Sequence, residues 1–425
     1  MRLRPGGGAH ASGRVGLLRE GGVTAHSRAV VITTLGITQI LAWGSSYYLL
    51  AVLAVPISSD TGWPLPWVVG GLSLGLLVAG LVSPRVGRLV GEHGGRPVLG
   101  GSALLLGLGL ALLGAAPNLG VYLLAWAVLG AGMGAGLYDA AFSALGWLYR
   151  EKARSAITHL TLWGGFASTV CWPLSALLVE RLGWRGACFV YAAVQIAVSL
   201  PLLLVTLRTN AAGASTPRGQ TRKVAVSLSG SDHRAFLILA GIWVSAGATT
   251  SVVSVHLITL LQESGLSLAT AVGLGALVGP SQVAARVVEM AFGGKHHPYW
   301  TLAAAMILIA LGLVLLWVGL PLPALGLILY GSGNGIYSIA RGALPLALFG
   351  PDRYPALAGR LAGPGLVAQA LAPSLGAVLL ARWGAGGTYA GLVVIALINV
   401  ALVAVLRSQV RPEPVFEGSS TSNAQ

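Results

Sequence analysis

Charged residues are scarce in this chain of 425 residues, where Asp, Glu, Lys and Arg together make up only 9%. A soluble domain usually has about 25% charged residues, so the chain lacks the polar groups that would cover a surface in water. The two cysteines, Cys171 and Cys188, are too few for a disulfide framework or a cysteine metal site. Nucleotide-binding and hydrolase motifs are missing as well. We therefore expect no enzyme activity, no cofactor and no resident metal.

Apolar residues, by contrast, make up 55% of the chain and fall in long blocks. Blocks of about 20 residues span a hydrocarbon core of roughly 30 Å as helices, and the 61 glycines suit close helix packing in lipid. The sequence predicts an all-α integral membrane protein. Twelve transmembrane helices are predicted at 29–53, 66–83, 97–116, 120–144, 157–179, 186–206, 235–260, 267–288, 300–320, 323–349, 361–381 and 386–406.

Basic residues alternate between the gaps that separate these blocks. Twenty-two of the 26 Lys and Arg residues fall in one set of gaps, which includes both tails, and three fall in the other set. Positive residues stay on the cytoplasmic side of a membrane, so we expect both termini and the central linker to be cytoplasmic, in a bacterial inner (plasma) membrane. The first 28 residues show no cleavable signal pattern. Because the net charge of +14 is spread over short loops, it does not indicate a nucleic-acid partner.

The two halves of the chain repeat each other. Gly62 and Gly265 are 203 residues apart, Gly183 and Gly384 are 201 apart, and the offset stays within 200–203 along the whole half. This is a parallel repeat of six helices. It predicts a cytoplasmic tail at 1–28, a six-helix bundle at 29–206, a cytoplasmic linker at 207–234, a second bundle at 235–406 and a tail at 407–425.

Over roughly 29–406 this duplicated pattern resembles the major facilitator superfamily. The resemblance implies two bundles around a central cavity, lined mainly by helices 1, 4, 7 and 10 and working by alternating access. It also implies a small-molecule substrate, a coupling proton and a monomeric protein. In the superfamily's loop motif after helix 2, Gly87, Gly94 and Arg96 match, but the usual Asp position holds Gly91. We expect Glu92 to take the acidic role by pairing with an arginine or a helix end; the alternative is a solvated loop charge.

Two charges lie well inside the predicted helices, Asp139 in helix 4 and Arg341 in helix 10. Charges in a bilayer cost about 2.5–3.5 kcal/mol on insertion scales and usually serve a function. The repeat places both at equivalent depths, so we expect them to face each other and to pair when the cytoplasmic side is shut. Alternatively, Asp139 binds the coupling proton and Arg341 an anionic substrate group, or each pairs within its own half, for instance Asp139 with Arg150.

Polar and aromatic residues of helices 1, 7 and 10 complete the predicted cavity. In helix 1, Gln39, Trp43 and Ser46 share one face and indicate either a wet cavity wall or helix packing. The candidates from helices 7 and 10 are Trp243, His256, Asn334 and Tyr337.

The resemblance favours ion-coupled export of a small toxic solute. Helix 1, the Gly62-Trp63-Pro64 turn and the run from Ser155 to Pro173 resemble the branch that contains arsenite-efflux carriers. Trivalent arsenic or antimony is therefore a candidate substrate, with Cys171 as a ligand only in that case. The motifs typical of drug/proton antiport are absent from helices 4 and 5. The alternatives are uptake of a small organic anion or vitamin, for which Arg341 would bind a carboxylate, and a non-transporting membrane sensor.

Overall fold

The computed structural model describes residues 27–207, 228, 230–293, 296–319 and 323–409, and in these ranges all regular structure is helical. Most of both tails and of the predicted 207–234 linker, together with Lys295, lies outside the described residues. The α-helices are Arg28–Gly44, Leu50–Thr61, Leu65–His93, Gly95–Ala115, Leu119–Gly136, Tyr138–Tyr149, Ala153–Gly165, Ala167–Val194, Leu200–Thr206, Gly230–Glu263, Leu268–Gly275, Val278–Phe292, Pro298–Val318 and Pro323–Leu406. Short 3₁₀ turns at Arg150–Lys152 and Arg407–Gln409 and a π turn at Gln195–Ser199 complete the set.

Some helical stretches are far longer than one membrane crossing. Seven stretches are long and apolar enough to cross a membrane, and two of them, Leu119–Thr206 and Pro323–Gln409, contain 88 and 87 residues. One crossing needs about 20 residues, so each of these two stretches turns back twice. The turns are sharp because single residues adopt a left-handed backbone within the continuous run.

Divided at these turns, the described helices form twelve segments, as the hydropathy pattern predicts. The segments are 1 (Arg28–Gly44 with Leu50–Thr61), 2 (Leu65–His93), 3 (Gly95–Ala115), 4 (Leu119–Gly136 with Tyr138–Tyr149), 5 (153–183), 6 (184–206), 7 (Gly230–Glu263), 8 (Leu268–Gly275 with Val278–Phe292), 9 (Pro298–Val318), 10 (323–349), 11 (351–383) and 12 (385–406). Segment 2 exceeds its predicted block: the helix continues through Arg85 and Arg88, which we expected in a loop.

The backbone repeats along with the sequence. Three turns of the first half have a left-handed residue at the place where the second half has one, at the sequence offset found above. The matched residues are Gly62 and Gly265, Arg150 and Gly350, and Gly183 and Gly384. Glycine is the usual residue at positive φ because it has no Cβ. Among the described residues, Arg150 is the one non-glycine with positive φ. The two halves therefore share the backbone conformation of this turn, although the first half has arginine where the second half has glycine.

The buried apolar side chains also group by half. One core cluster comes entirely from 235–406, and two others come from 31–207 apart from four residues of segments 10 and 11. Large apolar side chains such as Leu81, Leu108 and Leu397 are exposed on the outer surface, where lipid would cover them.

The side at which segment 1 begins and segment 2 ends is here called the basic side. On this side the halves are in contact: Arg150 of the segment 4–5 turn donates to Asp352 at 2.8 Å, and Arg154 contacts the His296 carbonyl oxygen. At the other side, segments 1 and 5 border an open cleft of about 490 Å³ whose lining comes from the first half alone. The described structure is thus closed on the basic side.

Candidate functional site

An ion pair joins the two halves within the membrane-spanning region. Arg341 of segment 10 donates from Nη2 to Oδ2 of Asp139 in segment 4 at 2.8 Å, and both side chains are about four-fifths buried, with exposures of 18% and 20%. Asp139 follows the break in segment 4 at Leu137 and lies ten residues, or roughly 15 Å, from the basic-side end of that segment. Arg150 pairs with Asp352 instead, so the alternative pairing of Asp139 with Arg150 is wrong.

The ion pair does not satisfy the whole guanidinium group. Arg341 Nε is buried and has no hydrogen-bond partner among the described residues. A buried donor without a partner costs about 1–3 kcal/mol. The group therefore retains binding capacity toward a water molecule or an anionic group.

Asp139 and Arg341 form the base of a central cavity of about 40 Å³. Its walls come from segments 1, 2, 4, 10 and 11, and they include Trp43, Tyr138 and Gln369. The resemblance implied a wall from segment 7 as well. However, Trp243 of that segment is buried against Tyr337, with ring centroids 5.7 Å apart, and segments 2 and 11 close over the cavity instead.

Aromatic rings form the wall next to segment 1. Trp43 lies between Tyr47, at 5.2 Å between ring centroids, and Tyr138, at 5.1 Å. Edge-on and tilted rings at such distances attract each other by about 0.5–1.5 kcal/mol beyond their burial. The Trp43 indole N–H donates to Gln39 Oε1 at 3.1 Å, which fixes the ring orientation.

The other predicted cavity residues lie elsewhere. Gln39 donates to the Gly136 carbonyl oxygen at the break in segment 4, inside the first bundle, and Ser46 is fully buried and donates to Ala42. In the second bundle, Thr250 donates to Asn334, while His256 contacts the Pro373 carbonyl oxygen. Together with Tyr337 and Trp243, these residues hold neighbouring segments together at their observed positions.

The charged residues of the loop motif after segment 2 have partners other than those predicted. Glu92 is half exposed and lies 3.9 Å from the His93 ring. Among the described residues it forms no ion pair with Arg88 or Arg96, so the expected pairing with one of these arginines is wrong. Arg96 donates to the Leu204 carbonyl oxygen at 3.0 Å instead.

Glycines bring segments 2 and 11 into backbone contact on the basic side. A Cβ atom at Gly80 would lie 2.8 Å from the Gly363 carbonyl oxygen, and one at Gly363 would lie 2.9 Å from the Gly80 carbonyl oxygen. Nearer the basic-side end, a Cβ at Gly87 would overlap the Pro355 carbonyl oxygen, and Gly359 lies against the same turn. Gly87 therefore contributes by its small size. Gly94 has positive φ and forms the turn into segment 3.

Cys171 does not reach the cavity. Its side chain is fully buried between segments 1 and 5, where it lies against Gly44 and within 3.5 Å of the Ile40 carbonyl oxygen. Cys188 is buried as well. Among the described residues, no group of three or more His, Cys, Asp or Glu side chains could hold a metal ion.

A third intramembrane charge, Arg286, escaped the sequence reasoning. The charge pattern assigns it to the gap after the predicted block 267–288, although it lies two residues before the end of that block. In the structure the helix Val278–Phe292 encloses it. Its side chain is only 6% exposed and donates to the Thr161 carbonyl oxygen of segment 5 at 3.1 Å. The signal that could have found it is its place inside an apolar block.

The described residues form twelve segments in two similar halves around a cavity that holds a buried ion pair, and this arrangement defines a multi-pass membrane protein of the transporter class. The family model of the Major Facilitator Superfamily matches residues 35–295, and the chain belongs to this superfamily. The family predicted from the sequence is thus confirmed, and membership in it indicates a transporter that is not an enzyme.

Two solved transporter structures share the fold of this chain, and one curated relative matches part of its sequence. The human organic anion transporter MFSD10 (TETRAN) is 17% identical, with a TM-score of 0.70 over 89% of this chain and 100% of that chain. The transporter FucP in its outward conformation is 14% identical, with a TM-score of 0.67 over 91% and 100%. The transcription regulatory protein OpdE of Pseudomonas aeruginosa is 27% identical over 173 residues. That match covers 41% of this chain and 43% of OpdE, so the chain spans less than half of this relative's length.

Proposed function

We propose that the protein is a proton-coupled secondary transporter in which the Asp139–Arg341 ion pair couples protonation to closure of the basic side. The observation that carries the proposal is that this pair joins the two halves at the base of the central cavity. In alternating access the halves separate on one side while they close on the other. A pair that bridges the halves stabilises one of these states only.

Protonation would act on this pair directly. A neutral Asp139 no longer attracts Arg341, and breaking a buried ion pair by loss of one partner costs about 3–5 kcal/mol. With the pair about 80% buried, we expect an effect near the lower end of that range. Protonation of Asp139 therefore favours opening of the basic side and frees Arg341 for a substrate group.

Proteoliposomes that contain the purified full chain and an internal pH-sensitive dye test the proposal. Carboxylates, drugs, arsenite and antimonite are added one at a time, with pH gradients imposed in either direction. A coupled substrate moves protons, and the sign of the proton flux gives the direction of transport, export or uptake. We expect Asp139→Asn to abolish the flux and Asp139→Glu to retain part of it. Solute-driven proton flux at the wild-type rate in Asp139→Asn would refute the coupling role.

Exchanging the two charges distinguishes the attraction between Asp139 and Arg341 from the separate role of each residue. In the double variant Asp139→Arg with Arg341→Asp, the attraction between segments 4 and 10 is kept while each group changes its surroundings. We expect the double variant to recover closure of the basic side relative to either single variant. If it is no more closed than the single variants, attraction between the two groups does not hold that side shut.

A second candidate function is membrane sensing without transport, which the similarity to OpdE, a transcription regulatory protein, favours. The same liposomes distinguish the two functions. A sensor moves neither solute nor protons across the membrane, yet its deletion changes the expression of other genes.

A metalloid substrate remains a narrower hypothesis within the transport proposal. Thiolate recognition by Cys171 would need the thiol to reach the cavity, whereas it is buried against Gly44. If arsenite moves protons in the liposomes, Cys171→Ser decides between thiolate recognition, which the substitution abolishes, and recognition of neutral arsenous acid by hydroxyl and amide groups, which it leaves intact.

A further inference from the structure

Arg286 is a buried cation without an acidic partner among the described residues. Its nitrogen atoms donate to the carbonyl oxygens of Gly335 at 3.2 Å and Thr161 at 3.1 Å, and to Gln282 Oε1 at 3.5 Å. All three acceptors are neutral. A charge taken out of water is costly unless an opposite charge compensates it, so an anionic group bound here would be stabilised by the guanidinium.

The nearest acidic residue on the same helix is engaged elsewhere. Glu289, one turn further on, accepts a hydrogen bond from Thr301 at 2.6 Å and lies 3.9 Å from Arg154 and from His296. Asp139, the acid at the cavity, is paired with Arg341. Neither carboxylate neutralises Arg286.

Two consecutive glycines make room for this cation beside the cavity wall. A Cβ at Gly165 would lie 2.5 Å from Arg286 Nη1, and one at Gly164 would overlap the Tyr138 hydroxyl. Tyr138 donates to the Thr161 carbonyl oxygen at 3.3 Å, so its hydroxyl and the guanidinium meet at the same acceptor. Tyr138 also lines the central cavity.

Arg286 lies beside an aromatic residue of the cavity wall. Tyr138 and the guanidinium donate to the same Thr161 carbonyl oxygen, and the Trp43 ring lies 5.1 Å from the Tyr138 ring. The wall therefore combines the hydroxyl donor of Tyr138, a nearby cation and apolar ring faces. These groups suit a small organic carboxylate, whose charged end needs donors and whose body needs apolar contact.

We infer that Arg286, together with the Tyr138 hydroxyl, is the recognition site for the carboxylate of a small organic acid. The carboxylate replaces the Thr161 carbonyl oxygen as acceptor for Arg286 Nη1, and the organic body packs on Trp43. Because Thr161 belongs to the first half and Arg286 to the second, binding also releases one tie between segments 5 and 8. The inference names the substrate class of the transporter proposed above and rests on that proposal for its biological meaning.

Equilibrium binding to the purified full chain in nanodiscs tests the inference without requiring transport. The probes are acetate, lactate and benzoate, each matched to its neutral amide, and the readout is tryptophan fluorescence with calorimetry. We expect at least one carboxylate to bind about tenfold or more tightly than its amide, the difference expected for hydrogen bonds to a charged group. Arg286→Gln should remove that preference, and Arg286→Lys should keep part of it.

Arg185→Gln is the matched control. Arg185 also donates to two backbone carbonyl oxygens, those of Gly114 and Ala116 at 2.9 Å, but it lies at the side opposite the basic side. This variant should bind the carboxylate like the wild type. Gly165→Ala is a second test, because it displaces the guanidinium without removing its charge. It keeps the inference testable if Arg286→Gln does not fold.

The outcomes separate this inference from the proposed function. Carboxylate and amide affinities that are equal, or an Arg286→Gln variant that keeps the carboxylate preference, would overturn the inference. Proton-coupled flux of a neutral solute without carboxylate binding would overturn the inference and leave the coupling role of Asp139 standing. Carboxylate binding that needs Arg286, with no loss of proton flux in Asp139→Asn, would overturn the coupling role alone.

Discussion

The glycine contact between segments 2 and 11 gives the sharpest test of closure on the basic side. In Gly87→Ala the added methyl group would overlap the Pro355 carbonyl oxygen, which belongs to the backbone of the opposite half. A backbone atom cannot rotate away as a flexible side chain can, so the two segments must move apart. Gly91→Ala is a control one turn further along, where the nearest atom, the Pro355 Cβ, is 3.8 Å from the new methyl group.

The size of the effect follows from overpacking energies. Forcing an extra methyl group into a well-packed contact costs about 1–3 kcal/mol, here only in the state that is closed on the basic side. A free-energy difference of that size shifts a two-state equilibrium by roughly 5- to 150-fold. Alanine also favours a helix over glycine by about 1 kcal/mol, but this term acts in both states and cancels from their ratio.

Distances between spin labels across the two halves measure the shift. Glu92→Cys in segment 2 and Ser408→Cys after segment 12 report on the basic side, since both positions are exposed. Leu65→Cys and Trp383→Cys, also exposed, report on the opposite side. The native thiols are buried and should stay unlabelled.

We expect Gly87→Ala to lengthen the distance on the basic side and to shorten the one on the opposite side. Gly91→Ala should keep the parent distribution. Equal distributions in the two variants, with both proteins folded and monodisperse, would refute the argument that this glycine contact permits closure.

Three further substitutions have definite expected outcomes. Tyr122→Phe removes a buried hydroxyl that donates to the Val68 carbonyl oxygen at 2.7 Å. The free energy of unfolding should therefore fall by about 1 kcal/mol in an SDS titration. An unchanged free energy of unfolding would mean that this hydrogen bond only offsets the cost of burying the hydroxyl. Arg150→Gln removes an ion pair with Asp352 whose side chains are 58% and 69% exposed. The free energy of unfolding should fall by less than about 1 kcal/mol. A larger loss would show that this pair contributes as much as a buried ion pair. Cys171→Ala should leave the proton flux of the liposome assay within about twofold of wild type because the thiol does not line the cavity, and a loss of flux in a variant that still folds would bring the thiol into the transport path.

The ion pair could be predicted from the sequence, whereas much of the cavity could not. A charge inside an apolar block is rare enough to notice, and the repeat offset placed Asp139 and Arg341 at one depth. Gln39 lies on the helix face expected for the cavity, but its amide donates at the break in segment 4. That break has no clear mark in a run rich in glycine and alanine. Helical spacing predicts which residues share one face of a helix, but it does not predict which segment packs against that face.

Arg286 shows a second limit of sequence reasoning. Hydropathy defines the end of a segment to within a few residues, and this arginine falls inside that margin. Whether it is a loop charge or a buried cation depends on about one further helical turn beyond the predicted block and on the glycines of segment 5 opposite it. Such information lies in packing between distant segments.

Two of the ion pairs between the halves, each with a 2.8 Å contact, have an unusual relation to the repeat. Asp139 and Arg341 are 202 residues apart, and so are Arg150 and Asp352. Both pairs therefore join nearly equivalent positions, which can meet only close to the axis that relates the halves. In a symmetric dimer of identical six-helix units, a position on the axis meets its own copy, so acid would face acid and arginine would face arginine. Opposite charges on the axis require two halves that differ in sequence, and fusion into one chain lets each half keep its own member of each pair.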